Sequence, residues 1–393
     1  MKRSEKLNGM IYLDNNASTS LDPEVWAAME HAWTVHGNAS SVHAEGQKAR
    51  RIVEEARESV ARLIGGRPEE VFWTSGGTES NAMAIFGAVA ERPGRVVISG
   101  AEHPSVREAV SRLAAAGREV VTVAPEWDGR LDPGRVLDAV QPGTVLVSVM
   151  AANNEYGGLY PVAEVAGETR RRGVLFHTDA VQMVGRLPVD VSAWGIDLLA
   201  ASAHKMHGPK GAGALYVRRG VKLLPHTPGG GQERRQRAGT ENTLAIAGFG
   251  TAAGLARERL SADVPAIGRL RDRLERGILE RIPGTRAIGA NAPRVPNTSA
   301  VIFDGVSGEA LLVRLDLAGV AVSVGSACSS GTLAPSPALL SLGMSREEAR
   351  SAVRFSLSRM TRDDEIDRVL ALLPEAVGVA RGAAAVAATG RDS

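Results

Sequence analysis

Ser202-Ala203-His204-Lys205-Met206-His207-Gly208-Pro209-Lys210-Gly211 lies between two apolar runs, residues 196–201 and 212–217. That context makes it a loop at the end of a buried strand, where open α/β sheets place their ligands. Its lysines single it out. Of 46 basic residues only six are lysine, and two of them, Lys205 and Lys210, fall in this loop. Arginine supplies the surface charge elsewhere. An amine can lose its proton when desolvated and condense with a carbonyl, whereas a guanidinium cannot. From the loop alone, a pair of solvated lysines is an equally good reading.

Around the loop, apolar β-type runs alternate with helical patterns through the first two thirds of the chain. The strand candidates are 71–74, 95–99, 119–123, 144–150, 174–178, 198–202 and 212–217. Several are unbroken in Val, Leu and Ile, as strands buried on both faces of a mainly parallel sheet are. A helical stretch at 46–64 carries Ala49, Ile52, Val53, Ala56, Val60 and Leu63 on one face and stops at Gly65-Gly66. The pattern predicts an α/β large domain, residues 13–255, with a mainly parallel seven-stranded sheet flanked by helices. A smaller α+β domain takes residues 1–12 and 256–393. Two helices back to back lead into it, the second with Ile267, Leu270, Leu274, Ile278 and Ile282 at helical spacing. Short strands then mix with helices at 309–317 and 363–373, the last behind a capping-box pattern, Thr361-Arg362-Asp363-Asp364. Beyond Pro374 the Ala/Gly-rich sequence reads as a frayed helix or a disordered tail.

Composition narrows the function. A chain of 393 residues is too long for one ordinary core, and 44% hydrophobic with 23% charged residues is globular. A net charge of +2 without a long basic run gives no electrostatic case for nucleic acid. No apolar run approaches the ~18–20 residues of a spanning helix, and Met1 to Met10 lacks a secretory core, so a cytoplasmic protein is expected. Cys328 is the one cysteine, which excludes an intrachain disulfide. A lone thiol is either a small buried hydrophobe or a reactive group.

Other strand ends carry chemistry too. Ser75-Gly76-Gly77-Thr78-Glu79-Ser80-Asn81 follows the 71–74 run, and its glycines and helix-opening amides suit an anion. Glu102-His103, Asn153-Asn154-Glu155 and His177-Thr178-Asp179-Ala180-Val181-Gln182 follow three further strands. Taken singly, each has an ordinary structural reading: a turn, a filled loop, a cap. Taken together, an anion cradle, a histidine, an amide, a carboxylate and a lysine meet at one edge of the sheet. That set suits pyridoxal phosphate, which needs a phosphate site, a ring partner, a partner for the pyridine nitrogen and an amine.

These stretches resemble the cysteine desulfurases of the NifS/IscS type, pyridoxal-phosphate enzymes of the aspartate-aminotransferase fold (fold type I, class-V aminotransferases). The resemblance also takes in Tyr12-Leu13-Asp14-Asn15-Asn16-Ala17, Gly37-Asn38-Ala39-Ser40-Ser41-Val42-His43, Arg237-Ala238-Gly239-Thr240-Glu241-Asn242, Ser323 through Gly331, and Arg354-Phe355-Ser356-Leu357. It implies that Lys205 holds the cofactor as an imine and later moves the Cα proton. Asp179 pairs with the pyridinium nitrogen, while Gln182 and Asn154 bind the ring hydroxyl region. His103 stacks on the ring and exchanges protons. Gly77, Thr78, Ser202 and His204 hold the phosphate, joined by Thr240 from the second subunit of a homodimer. Arg354 and Asn154 anchor the substrate carboxylate. Lys210 falls in a turn after the family's lysine and receives no catalytic role. Cys328, in a loop of small residues, becomes the nucleophile that keeps the sulfur of L-cysteine as a persulfide. The loop from Ser323 through Ser336 resembles the longer, mobile type.

Two positions depart from the pattern: His207 replaces a usual aromatic, and Ala82 a common asparagine. The C-terminal sequence does not resemble the segment with which housekeeping members dock their iron–sulfur scaffold. Iron–sulfur cluster assembly, tRNA thiolation and another sulfur pathway all stay open for the acceptor protein. A selenocysteine lyase, another β-eliminating lyase and a non-catalytic sulfur carrier or scaffold are the competing readings. No metal site is expected.

Overall fold

The computed structural model of the protein describes residues 9–325 and 334–389. Seven strands form the main sheet: β1 (Val71–Thr74), β2 (Arg95–Ser99), β3 (Val120–Val123), β4 (Thr144–Ser148), β5 (Leu175–Asp179), β6 (Leu198–Ser202) and β7 (Gly213–Val217). Their order is β1-β7-β6-β5-β4-β2-β3, and β7 runs against both its neighbours. Each corresponds to a run expected from the sequence. Alternate side chains enter different cores. Val71, Trp73, Val97, Val147 and Leu199 pack on the face that carries α1 (Ala44–Ile64). Phe72, Val96, Ile98, Leu146 and Leu198 pack on the other, beneath α2 (Gly77–Val89) and α3 (Pro104–Ala115). Both faces are dry, which is why these runs show no polar alternation.

The expected pair of helices is one helix, α4 (Thr243–Arg281), 39 residues long with Pro265 inside it. Proline deletes one backbone hydrogen bond. Here Pro265 and Ser261, whose carbonyl it cannot reach, are both exposed, so that carbonyl is not buried without a partner and the helix continues. The first half of α4 buries Ala245, Phe249 and Ala252 in the core beside α1, and the second half buries Leu270, Leu274 and Ile278 in a separate core.

That second core surrounds an antiparallel sheet, β10-β11-β9-β8, made of β8 (Thr285–Ala287), β9 (Thr298–Phe303), β10 (Ser323–Val324) and β11 (Ala352–Ser356). α5 (Gly308–Leu317) and α6 (Asp363–Thr389) cover it. Ile11–Tyr12 pairs in parallel with Val320–Ala321, which ties the N-terminal segment to this region. The end of α6 corrects another expectation. The helix runs through Pro374 to Thr389. The Leu370 carbonyl, which proline cannot reach, accepts from Arg281 Nη1 at 3.3 Å, and Leu373, Val377 and Ala380 are buried. The cap is also shifted: Glu365, not Asp364, accepts from the backbone N–H three residues back, that of Arg362 (2.8 Å).

Candidate active site

Five strands deliver residues to one cavity of about 220 Å³. β1 leads to Gly77 and Thr78, β2 to His103, β4 to Asn154, β5 to Asp179 and Gln182, and β6 to Ser202, His204 and Lys205, all of which line it. The cradle depends on missing side chains. Thr74, Gly213 and Ser202 are paired across three neighbouring strands. A Cβ on Gly213 would come within 2.5 Å of the Gly76 backbone, and one on Gly77 within 2.6 Å of Val181 Cγ2. Gly77 and Thr78, in the first turn of α2, line the cavity, and first-turn amides attract anions.

Lys205 follows β6 in a short turn, and its Nζ donates to the carbonyls of Asn16 (2.5 Å) and Ala17 (2.8 Å). Lys210 is exposed in the turn beyond and is absent from the cavity wall. Behind the cavity runs a chain of hydrogen bonds whose direction follows from donor chemistry. Asn81 Nδ2 donates to Asp179 Oδ2 (2.7 Å) and to Ser105 Oγ (2.8 Å). Its Oδ1 consequently faces His177 Nε2 (3.1 Å), which must carry a hydrogen, while Ser148 Oγ donates to His177 Nδ1 (2.8 Å). Burial pushes the His177 pKa down to about 4, so the imidazole is neutral. Asp179 Oδ1 accepts from the Val181 N–H (3.0 Å), which completes the orientation of its carboxylate.

His103 caps α3. Its Nδ1 accepts from the Ser105 N–H (3.1 Å) and lies 2.8 Å from Ser105 Oγ, so in the neutral ring the hydrogen sits on Nε2. Burial lowers its pKa, Asp179 opposes that shift, and Lys205 and Arg107 reinforce it. Burial also brings His204 down to about 4, helped by Lys205, Lys210 and Arg186. Glu102 is raised to about 8 by burial, and its Oε1 accepts from Ser99 Oγ (2.6 Å) and Met150 N–H (2.7 Å), joining the ends of β2 and β4.

Two expected residues stand apart from this wall. Arg354 is buried on β11, with Nη1 on the Asn154 carbonyl (2.8 Å), Nη2 on Asp14 Oδ1 (2.7 Å), and, among the described residues, no partner for Nε. Thr240 is exposed on a surface loop. Cys328 lies outside the described residues. Gly325 and Ser336, which flank that stretch, sit side by side against Glu155, the neighbour of Asn154. Sequence reasoning gave no role to Asn81 or Ser105, yet Asn81 links Asp179 to both histidines. Its position four residues after Gly77, on the same helical face, was the available signal.

The model of the aminotransferase class-V family matches residues 11–369. The chain belongs to the class-V aminotransferases. Among class-V relatives, the cysteine desulfurase of Sinorhizobium fredii is 45% identical over 372 residues, covering 93% of this chain and 96% of that one. A solved NifS-like protein superposes with a TM-score of 0.88 at 33% identity, over 94% of this chain and 100% of its own. A structure described as SspA in complex with cysteine gives 0.80 at 31% identity, over 90% and 100%. Class-V aminotransferases are pyridoxal-phosphate enzymes, and the cavity suits that group: a helix-opening glycine turn, an oriented carboxylate, a neutral imidazole and an amine share it.

Proposed function

We propose that the protein is an L-cysteine desulfurase. It takes the sulfur of L-cysteine, releases L-alanine and retains the sulfur on Cys328 as a persulfide for an acceptor protein. The observation that carries the reading is the convergence of Lys205, Asp179 and His103 on one cavity, in a chain 45% identical to a cysteine desulfurase.

Bound in the cavity, pyridoxal phosphate supplies an electron sink for the bonds at the substrate Cα. The Gly77 and Thr78 amides, with Ser202 and His204, would hold its phosphate, and neutral His204 does so as a hydrogen-bond donor. Asp179 would hold the ring nitrogen, and Gln182 and Asn154 the hydroxyl region. Lys205 anchors the group through its amine and then serves as the base at Cα. His103, neutral and with its exchangeable hydrogen on Nε2, moves protons to and from the substrate. Arg354, held on the Asn154 carbonyl, would anchor the substrate carboxylate together with Asn154. Cys328 supplies the nucleophilic thiolate. The net reaction balances: the substrate carbon–sulfur bond breaks, the sulfur joins Cys328 as –S–SH, and the carbon takes a hydrogen to become the methyl of alanine.

A homodimer belongs to the same reading, with exposed Thr240 reaching the partner's phosphate site. So does the division into residues 13–255 and 1–12 with 256–393, α4 crossing the boundary. No helix among the described residues is long and apolar enough to cross a membrane.

The test is Cys328→Ala. Alanine formation from L-cysteine in the presence of a reductant is expected to fall at least a hundredfold while the bound cofactor keeps its visible absorbance. Undiminished turnover by the variant would exclude the persulfide mechanism.

A further inference from the structure

Among the described residues, one buried charge beside the site stands without a counter-ion. Arg186 follows Gln182 by four residues and is buried. Among the described residues no carboxylate oxygen lies within 4.0 Å of its guanidinium. It donates instead to neutral oxygens: Nη1 to Asn16 Oδ1 (2.7 Å) and Gln182 Oε1 (2.5 Å), and Nη2 to the carbonyls of Asn15 (3.0 Å) and Lys205 (3.4 Å). Burial draws its pKa down to about 9, which still leaves it protonated at neutral pH.

A guanidinium has donors only. The Gln182 atom that faces it must be the carbonyl oxygen, so the amide nitrogen turns to the Asn16 carbonyl (3.0 Å). Of the two amide hydrogens, one is used there and the other is left for the cavity that Gln182 lines. The Gln182 amide is thereby fixed in one orientation, with an N–H available to the cavity. The surrounding charges do not cancel Arg186. Arg354, the charge that acts on it most, is itself a cation and is already paired with Asp14, and His204 and His207 are both drawn to about 4 by burial. On the side away from the cofactor cavity, Asp263 and Arg359 border a small cleft with Arg186, and they are of opposite sign.

Pyridoxal carries its hydroxyl ortho to the aldehyde, so that oxygen lies next to whichever amine holds the aldehyde. We infer that Arg186 is a positioning residue: it holds the Gln182 amide in that orientation and, through its uncompensated charge, selects the ionised form of the cofactor's ring oxygen beside Lys205. The inference rests on the pyridoxal-phosphate reading.

Spectroscopic pH titration of the cofactor-loaded protein separates the two. A visible absorbance in the parent that Lys205→Ala abolishes supports the reading; its absence removes both. Deleting a neighbouring positive charge favours the chromophore form with one more proton. In Arg186→Met and Arg186→Gln the midpoint of the absorbance change should rise by about one pH unit or more. The affinity of the apoprotein for pyridoxal phosphate, read by fluorescence quenching, should fall about tenfold, since one unit corresponds to that factor. Arg186→Lys, which keeps the charge, should stay within a few tenths of a unit of the parent. If Arg186→Met does not fold, Arg186→Gln, which keeps hydrogen-bonding capacity, carries the same comparison. A midpoint unmoved in a folded neutral variant overturns the inference and leaves the cofactor reading intact.

Discussion

His103 illustrates how much of this site is decided by a single ring nitrogen. Its Nδ1 receives the Ser105 N–H and sits 2.8 Å from the Ser105 hydroxyl, and both stabilise the neutral ring. Protonation removes that lone pair, so fewer donors there means protonation at higher pH. Ser105→Ala is expected to move the acid limb of the kcat/KM profile upward by about half a pH unit; a limb that stays put or moves down would show that Ser105 does not tune His103. Lys205 and Asp179 were legible because each follows a strand and, taken together with the glycine turn and His103, they form one set at one edge of the sheet, although each alone has an ordinary structural reading. Asn81 was not, because an asparagine on a helix reads as ordinary polarity until its two amide hydrogens are traced to Asp179 and Ser105. Arg186 was hidden for a different reason: in a chain that uses arginine for most of its positive charge, one buried guanidinium leaves no mark in the sequence.

At the scale of elements, the loop before Thr240 holds the most strained backbone in the structure. Glu233, Arg234 and Arg235 have φ of 42°, 55° and 65°, three successive non-glycine residues in the left-handed region, each costing of order 1–2 kcal/mol. What holds them is Glu233: its carboxylate takes both Arg57 nitrogens (2.8 and 2.7 Å) and the Trp73 N–H (2.8 Å) on β1, with both partners of the ion pair buried. Two residues past this turn, Arg237 pairs with Glu79 in the first turn of α2 (2.8 Å), so the loop is tied to the phosphate cradle. Glu233→Ala would leave the buried Arg57 guanidinium with the Val71 carbonyl and the exposed Glu54 as its partners and is expected to cost about 3 kcal/mol of stability by chemical denaturation; a loss under about 1 kcal/mol would contradict this role. The sequence could not reveal a contact spanning 176 positions. It did reveal all seven strands of the main sheet, since burial on both faces writes itself as unbroken apolar runs. It misjudged α4 and α6 because proline is a local signal. An exposed carbonyl near Pro265 and the Arg281 guanidinium near Pro374 answered the loss elsewhere.

For the whole molecule, buried neutral histidines set the response to acid. His177 and His207 are buried, with pKa values near 4 against an ordinary value of 6.5. Between those limits the unfolded chain binds protons that the folded one refuses. Their contribution is therefore complete above pH 6.5 and is lost as the pH falls toward 4, at up to about 1.4 kcal/mol per unit for each histidine. Unfolding free energies measured at pH 7 and pH 5 should show this slope, and His177→Gln should remove roughly one proton's share of it. An unchanged slope would mean that His177 does not titrate with unfolding. At this scale the sequence already excluded a spanning helix or a long basic surface, and its ordered motifs carried the family. The choice of sulfur acceptor depends on a partner's surface, and neither the apolar pattern nor the cofactor site encodes it.

The central claim is that sulfur from L-cysteine comes to rest on Cys328. Brief incubation of the cofactor-loaded protein with L-cysteine, followed by intact-mass and peptide mass spectrometry without reductant, tests it directly. The expected result is the mass of one added sulfur, located on the peptide that contains Cys328 and removed by a thiol reductant. Stoichiometric alanine with no sulfur on that peptide, and all of it released as free sulfide, would contradict the account.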